Sequence, residues 1–144
     1  MSTEANKTVV RRMVEEGWNQ GNLNVVDELL AADAFDHHDS DVPSFPEHMK
    51  EQITLFHRAF PDFHFAIEDM VAEGDKVAFR ATITGTHQGE YNGIPPTGRQ
   101  IAFEHMHIVR VVDGKGVDHW AVLDTLSLLQ QLGVAPQRPP VAAR

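Results

Sequence analysis

Around Pro61 the spacing of apolar residues changes from helical to alternating, and that change constrains the fold more than any other feature of the chain. Beyond it, DFHFAIEDMVA and KVAFRATITGTH alternate apolar and polar residues, and the EGD between them reads as a hairpin turn. Val77, Phe79, Ala81 and Ile83 share one face of the second run; Arg80, Thr82 and Thr84 share the other. NGIPPTGR is a loop by chemistry, since Gly93 and Gly98 permit unusual φ values and Pro95 and Pro96 stiffen the path. A strand over about Gln100 to Val112 then ends in the turn DGKG. A last strand, GVDHWAVLD, passes into a short helix, TLSLLQQL, closed by Gly133.

Before the switch, Val9, Val10, Met13, Val14 and Gly17 mark one face of a helix over about Asn6 to Trp18. NQGNL stops it, and NVVDELLA forms a short second helix with Asp33 at its end. DAFDHHDSDVPSFP has no sustained period and carries turn residues throughout. A third helix runs from about Pro46 to Phe60, with Met49, Ile53, Phe56 and Phe60 as its apolar stripe and Pro61 as its stop. Helices first, then antiparallel strands on short turns, predict an α+β fold. A sheet curved around those helices leaves a cavity lined by one strand face, suited to a small hydrophobic molecule. The 144 residues fit one domain, taken as 1–135, with a mobile proline-rich tail over 136–144.

A net charge of −9 argues against a nucleic-acid partner, and Lys7, Arg11 and Arg12 are followed by Glu15 and Glu16, as on a solvated helix face. No apolar run approaches the ~20 residues that cross a bilayer, so no membrane association is expected. The first residues lack the pattern of a secretory signal. The chain has no cysteine, which removes disulfides and thiolate chemistry and fits a cytoplasmic setting. Motifs for nucleotide binding or serine hydrolysis are absent.

Nine histidines are the compositional surprise. In FDHHDSD the adjacent His37 and His38 cannot point the same way in an extended segment, and no third ligand has metal-site spacing, so no metal is expected. Phe103, His105, His107 and Val109 share a strand face, where the histidines are either satisfied core residues or pocket groups. In the last strand Asp118, Trp120, Val122 and Asp124 share one face; His119, Ala121 and Leu123 share the other. Asp124 immediately precedes TLSLLQQL and suits an N-cap, which stabilises the ionised carboxylate and opposes the raised pKa a general base needs. If Trp120 faces the cavity, Asp124 is available for chemistry; if His119 does, capping is what remains. Trp18 could roof the cavity, Phe56 could line it, Tyr91 could sit at its entrance, and Arg80 could pair with Glu104 across the sheet.

EEGWNQGNLNVVDELLA, FDHH, the stretch from AFPD through EGDKV and GTHQGE to GIPPTGR, and VRVVDGKGVDHWAVLDTLSLLQQLG together resemble the SnoaL-like polyketide cyclases of the NTF2-like superfamily. The resemblance covers nearly the whole chain before the tail. It implies a cystatin-like cone with a central pocket, a homodimer or homotetramer, and intramolecular aldol cyclisation of polyketide-like esters without metal or cofactor. It also implies Asp124 as general acid and base and His107 as partner of the substrate carbonyl. His38, Trp120, Trp18, His105, Phe56 and Tyr91 would then contact substrate. The same superfamily includes hydroxylation partners, isomerases, epoxide hydrolases and non-catalytic binding or oligomerisation modules, so fold does not give function. The polar set an epoxide hydrolase needs is not visible near Asp124.

Overall fold

The computed structural model describes residues 2–137 and 139; the expected tail therefore lies largely outside the described residues, at 138 and 140–144. Helix α1 spans Thr3–Arg12, with the Ser2 hydroxyl accepting the Ala5 N–H as its cap. It runs on as a π-helical segment, Met13–Asn19, where Val14 and Gly17 are buried. The short α2, Asn24–Leu29, leads directly into β1, Leu30–Asp36. Helix α3, Phe45–Ala59, starts at the Ser44 cap with Pro46 in its first turn and buries Ile53 and Phe56.

The alternating half of the chain forms β2 His64–Glu73, β3 Lys76–Thr86, β4 Gln100–Val112 and β5 Lys115–Leu123, followed by α4, Thr125–Gln131. One five-stranded sheet results, in the order β1-β5-β4-β3-β2. Its pairs are antiparallel except β1 with β5, which is parallel. The β4–β5 turn uses Asp113 at φ 50 and Gly114 at φ 78, the left-handed pair a tight hairpin requires.

Strand β1 is the element that the spacing of LAADAFD does not announce. Its alanines favour helix, it lacks β-branched residues, and its partner β5 lies far along the chain. Tertiary pairing with β5 makes it a strand.

On the concave side of the sheet, Phe79, Ala81, Ile83, Ile101 and Phe103 pack with Val10, Val14, Phe56 and Phe60, and Leu128 and Leu132 join them from the C-terminal segment. The loop between β3 and β4 is tied to this core by His87, which is fully buried. Its Nδ1 accepts the Thr97 N–H at 3.1 Å. Gly89 has no room for a side chain there: a Cβ would lie 2.2 Å from the Arg58 carbonyl oxygen. No helix among the described residues is long and apolar enough to cross a membrane.

Candidate functional site

Helices α1, the π-helical segment and α3 cover the concave face of the sheet without filling it. A cavity of about 380 Å³ remains. Its walls are mostly apolar, from Val9, Val10, Met13, Val14 and Trp18 on one side to Phe65, Phe79, Ile83 and Val109 on the other. Trp18 is held edge-on to Phe56 at 6.2 Å and packs on Phe65 at 5.9 Å. Phe56 also lines the space. At the mouth His48 Nε2 and Asp39 Oδ2 pair at 3.0 Å, which joins the loop after β1 to α3.

Polar groups converge along the sheet floor. Parallel pairing sets Asp36 of β1 beside His119 of β5, and antiparallel pairing sets His119 opposite Val109 of β4, two residues along from His107 on the same face. Asp36 Oδ1 accepts from His119 Nδ1 at 2.9 Å. His119 Nε2 lies 2.9 Å from His107 Nδ1, and His107 Nε2 lies 3.3 Å from His105 Nδ1. The row ends at His105 Nε2, which is buried and has no hydrogen-bond partner among the described residues. Aromatic rings hold the imidazole planes: Phe79 stacks on His107 at 4.6 Å and Phe45 on His119 at 5.4 Å. Phe103 meets His105 edge-on at 4.7 Å.

Burial would raise the Asp36 carboxyl, but the bond and charge of His119, with the His38 N–H and charge, outweigh it and hold the group below its ordinary range. His105 is pushed down to about 4, first by burial and then by the charges of His38 and His119. His107 lies well below its ordinary value, again chiefly through burial. These two imidazoles are therefore neutral near pH 7.

His38 stands apart from this row. Its backbone N–H donates to Asp36 Oδ1 at 3.0 Å, and its Nδ1 lies 3.1 Å from the Ala121 carbonyl oxygen. A carbonyl only accepts, so Nδ1 carries a hydrogen, and Nε2 makes no hydrogen bond among the described residues. His38 lines the cavity. His37 turns the other way, bonding Asp118 at 2.9 Å and stacking on Trp120 at 4.5 Å. The two histidines thus serve different faces. Among the described residues no group of three His, Asp or Glu side chains converges as metal ligands do, because the histidine nitrogens of the floor point at one another.

Several sequence expectations need correction. Asp124 does not reach the cavity: it is exposed, and its carboxylate accepts the Ser127 N–H at 3.1 Å as the cap of α4. Trp120 lies on the convex face, under His37 and with Lys76 Nζ 5.7 Å above its ring. The β5 face that looks inward is that of His119 and Leu123. Both ring nitrogens of His107 are engaged within the protein, so it has no free N–H for a substrate carbonyl. Tyr91 is buried against Phe56 and Phe60 at 5.5 and 5.7 Å, and its neighbour Asn92 lines the cavity instead. His38, Trp18, His105 and Phe56 do line it. Asp36 and His119 were not singled out from sequence. The signal for His119 was its parity opposite Trp120; Asp36 was obscured by a strand that does not look like one.

A family model described as SnoaL-like polyketide cyclase matches residues 8–132. Aklanonic acid methyl ester cyclase DnrD of Streptomyces peucetius is 32% identical over 138 residues, covering 92% of each chain. Among solved structures, AclR of Streptomyces galilaeus, a hydroxylase candidate, superposes with a TM-score of 0.84 at 33% identity, over 96% of this chain and 87% of that one. TsrD of Streptomyces laurentii gives a TM-score of 0.84 at 26% identity, over 93% and 98%.

Proposed function

Because the chain belongs to the SnoaL-like polyketide cyclase family, we propose that it closes a ring in a polyketide ester by intramolecular aldol chemistry, with His38 carrying the proton. The observation that carries this reading is the unengaged Nε2 of His38, on a ring that lines an apolar cavity beside Asp36. In the step, Nε2 takes a proton from the carbon between two activating groups. The resulting enolate carbon attacks a second carbonyl carbon of the same molecule, and His38 returns its proton to the new alkoxide oxygen. Asp36 stabilises the imidazolium in between, since its negative charge already couples to His38. The side chains of the chain itself supply this acid–base chemistry, so the reading requires neither metal nor cofactor.

The charge of the cavity supports an ester over a free acid. Among the described residues no lysine or arginine lines it, while the carboxylates of Asp36 and Asp39 do. A substrate carboxylate would meet repulsion there; its methyl ester would not. The relative DnrD is named for a methyl ester substrate. The test is turnover of aklanonic acid methyl ester. His38→Gln is expected to lose about 100-fold or more in rate, while Asp124→Asn keeps the wild-type rate to within a small factor. Full activity in His38→Gln, or no ring closure by the wild type, would overturn the proposal.

A homo-oligomer is proposed as well, supported by the convex face of the sheet. Val71, Met106, Ile108 and Val122 are exposed there at 68%, 54%, 40% and 74%, next to Trp120. Balanced ion pairs flank this apolar centre: Arg80 with Asp69 and Glu104 on one side, Arg110 with Asp75 and Asp118 on the other. A second copy of this acidic chain can therefore approach across a two-fold axis without net repulsion. A cytoplasmic setting suits the cysteine-free composition.

A further inference from the structure

The row of three imidazoles has a directional property that pairwise contacts do not reveal. A neutral imidazole has one N–H and one lone pair, so each ring passes on whatever orientation its neighbour imposes. Asp36 is an acceptor at one end. With His119 neutral, its hydrogen sits on Nδ1 toward Asp36, and its Nε2 must accept from His107 Nδ1. His107 Nε2 must then accept from His105 Nδ1, which leaves the lone pair of His105 on Nε2. That nitrogen has no hydrogen-bond partner among the described residues, in a residue only 3% exposed that lines the cavity. A buried acceptor left without a donor is destabilising. A hydrogen-bond donor brought in by a ligand would remove the deficit.

We propose that His105 Nε2 is the free end of a proton relay through His107 and His119 to Asp36, and that it receives the proton of a ligand hydroxyl, a phenol or an enol. The transfer balances within the row. The O–H proton goes to His105 Nε2, the His105 Nδ1 proton to His107 Nε2, and the His107 Nδ1 proton to His119 Nε2. The products are a ligand oxyanion and a doubly protonated His119 paired with Asp36. The positive charge thus rests beside a carboxylate rather than on His105. Stacking of Phe79 on His107 and Phe45 on His119 keeps the rings in the plane the transfers need. The proposal deepens the acid–base reading of the same cavity. Its test needs no ring closure, so the two can fail separately.

The probe is 4-nitrophenol, whose phenolate absorbs at longer wavelength than the phenol, with 4-nitroanisole as its methylated control. Wild-type protein is expected to show the phenolate band at a pH where the free probe is mainly protonated, and to bind 4-nitroanisole at least about tenfold more weakly. His107→Phe breaks the row while leaving both ends, and Asp36→Asn removes the charge that stores the proton; each is expected to abolish the band. Imidazole ¹⁵N shifts of the wild type provide a measurement independent of any variant: His105 Nε2 should be unprotonated in the free protein and His119 doubly protonated once the probe binds. The proposal is overturned by a neutral bound phenol in the wild type, by a phenolate band that survives in folded His107→Phe, or by a proton on His105 Nε2 in the free protein.

Discussion

Asp36 and His119, 83 residues apart in the chain, meet at 2.9 Å across the parallel pairing of β1 with β5. That contact sets a negative charge, only 5% exposed, at the end of a histidine row in an apolar cavity. It also fixes which face of β5 looks inward. The chemistry of the site and the register of β1 on β5 are therefore one structural fact.

Replacing Asp36 with Asn separates charge from shape. Turnover of the ester is expected to fall by about 100-fold or more, as for loss of charge stabilisation at a general base. The carboxyl is held below its ordinary range in the fold, so its contribution to stability is present above that range and is lost as pH falls through the lowered folded value. Acid melting curves should show that loss in the wild type and not in Asp36→Asn.

The histidines act in a different window. His105 falls from 6.5 to about 4 on folding, so between those values the unfolded chain binds the extra proton and the folded chain does not. Stability therefore declines as pH drops from 6.5 toward 4, by up to about 3 kcal/mol from this residue. His105→Phe should flatten the decline in urea midpoints measured across that range. An unchanged slope would refute the assigned burial of the neutral ring.

Asp124 should matter for stability alone. Asp124→Ala removes the acceptor for the Ser127 N–H and is expected to lower stability by about 1 kcal/mol. Ester turnover measured on the folded variant should stay at the wild-type rate. A large loss of rate without loss of stability would return this residue to the chemistry.

The convex face offers a test of assembly. Val122→Lys places a charge at the apolar centre of the sheet face, where the residue is 74% exposed. Sedimentation should show smaller species than the wild type at equal concentration, with unchanged melting of the isolated chain. Wild-type protein that sediments as a monomer would remove the proposed second copy.

Gly89 tests the loop. A Cβ there would sit 2.2 Å from the Arg58 carbonyl oxygen, which backbone cannot yield without moving the end of α3. Gly89→Ala is expected to lower stability by about 2–4 kcal/mol in denaturant titrations.

Much of the fold was legible because two periods were present in one chain. Helical spacing before Pro61 and alternation after it placed α1, α3 and the four strands from β2 to β5 within a few residues. Parity within β4 correctly grouped Phe103, His105, His107 and Val109, and Arg80 does reach Glu104, at 3.8 Å. What alternation cannot say is which of two faces is the inner one. The last strand shows this most clearly, since GVDHWAVLD reads equally well with Trp120 or His119 inside. Large aromatics are favoured in cores, yet here Trp120 is covered by His37 on the convex face, and the smaller His119 is taken inward by Asp36 and His107.

The sequence by itself determined the α+β class, the position of the hairpins, the capping chemistry of Asp124 and the resemblance to a cyclase family, all of which are encoded in residues close along the chain. Only the tertiary structure decided that β1 is a strand, that it runs parallel to β5, and that Asp36, His119, His107 and His105 form one row. The physical reason is that strand pairing between distant segments depends on burial and hydrogen-bond satisfaction over the whole sheet, which local propensity does not contain.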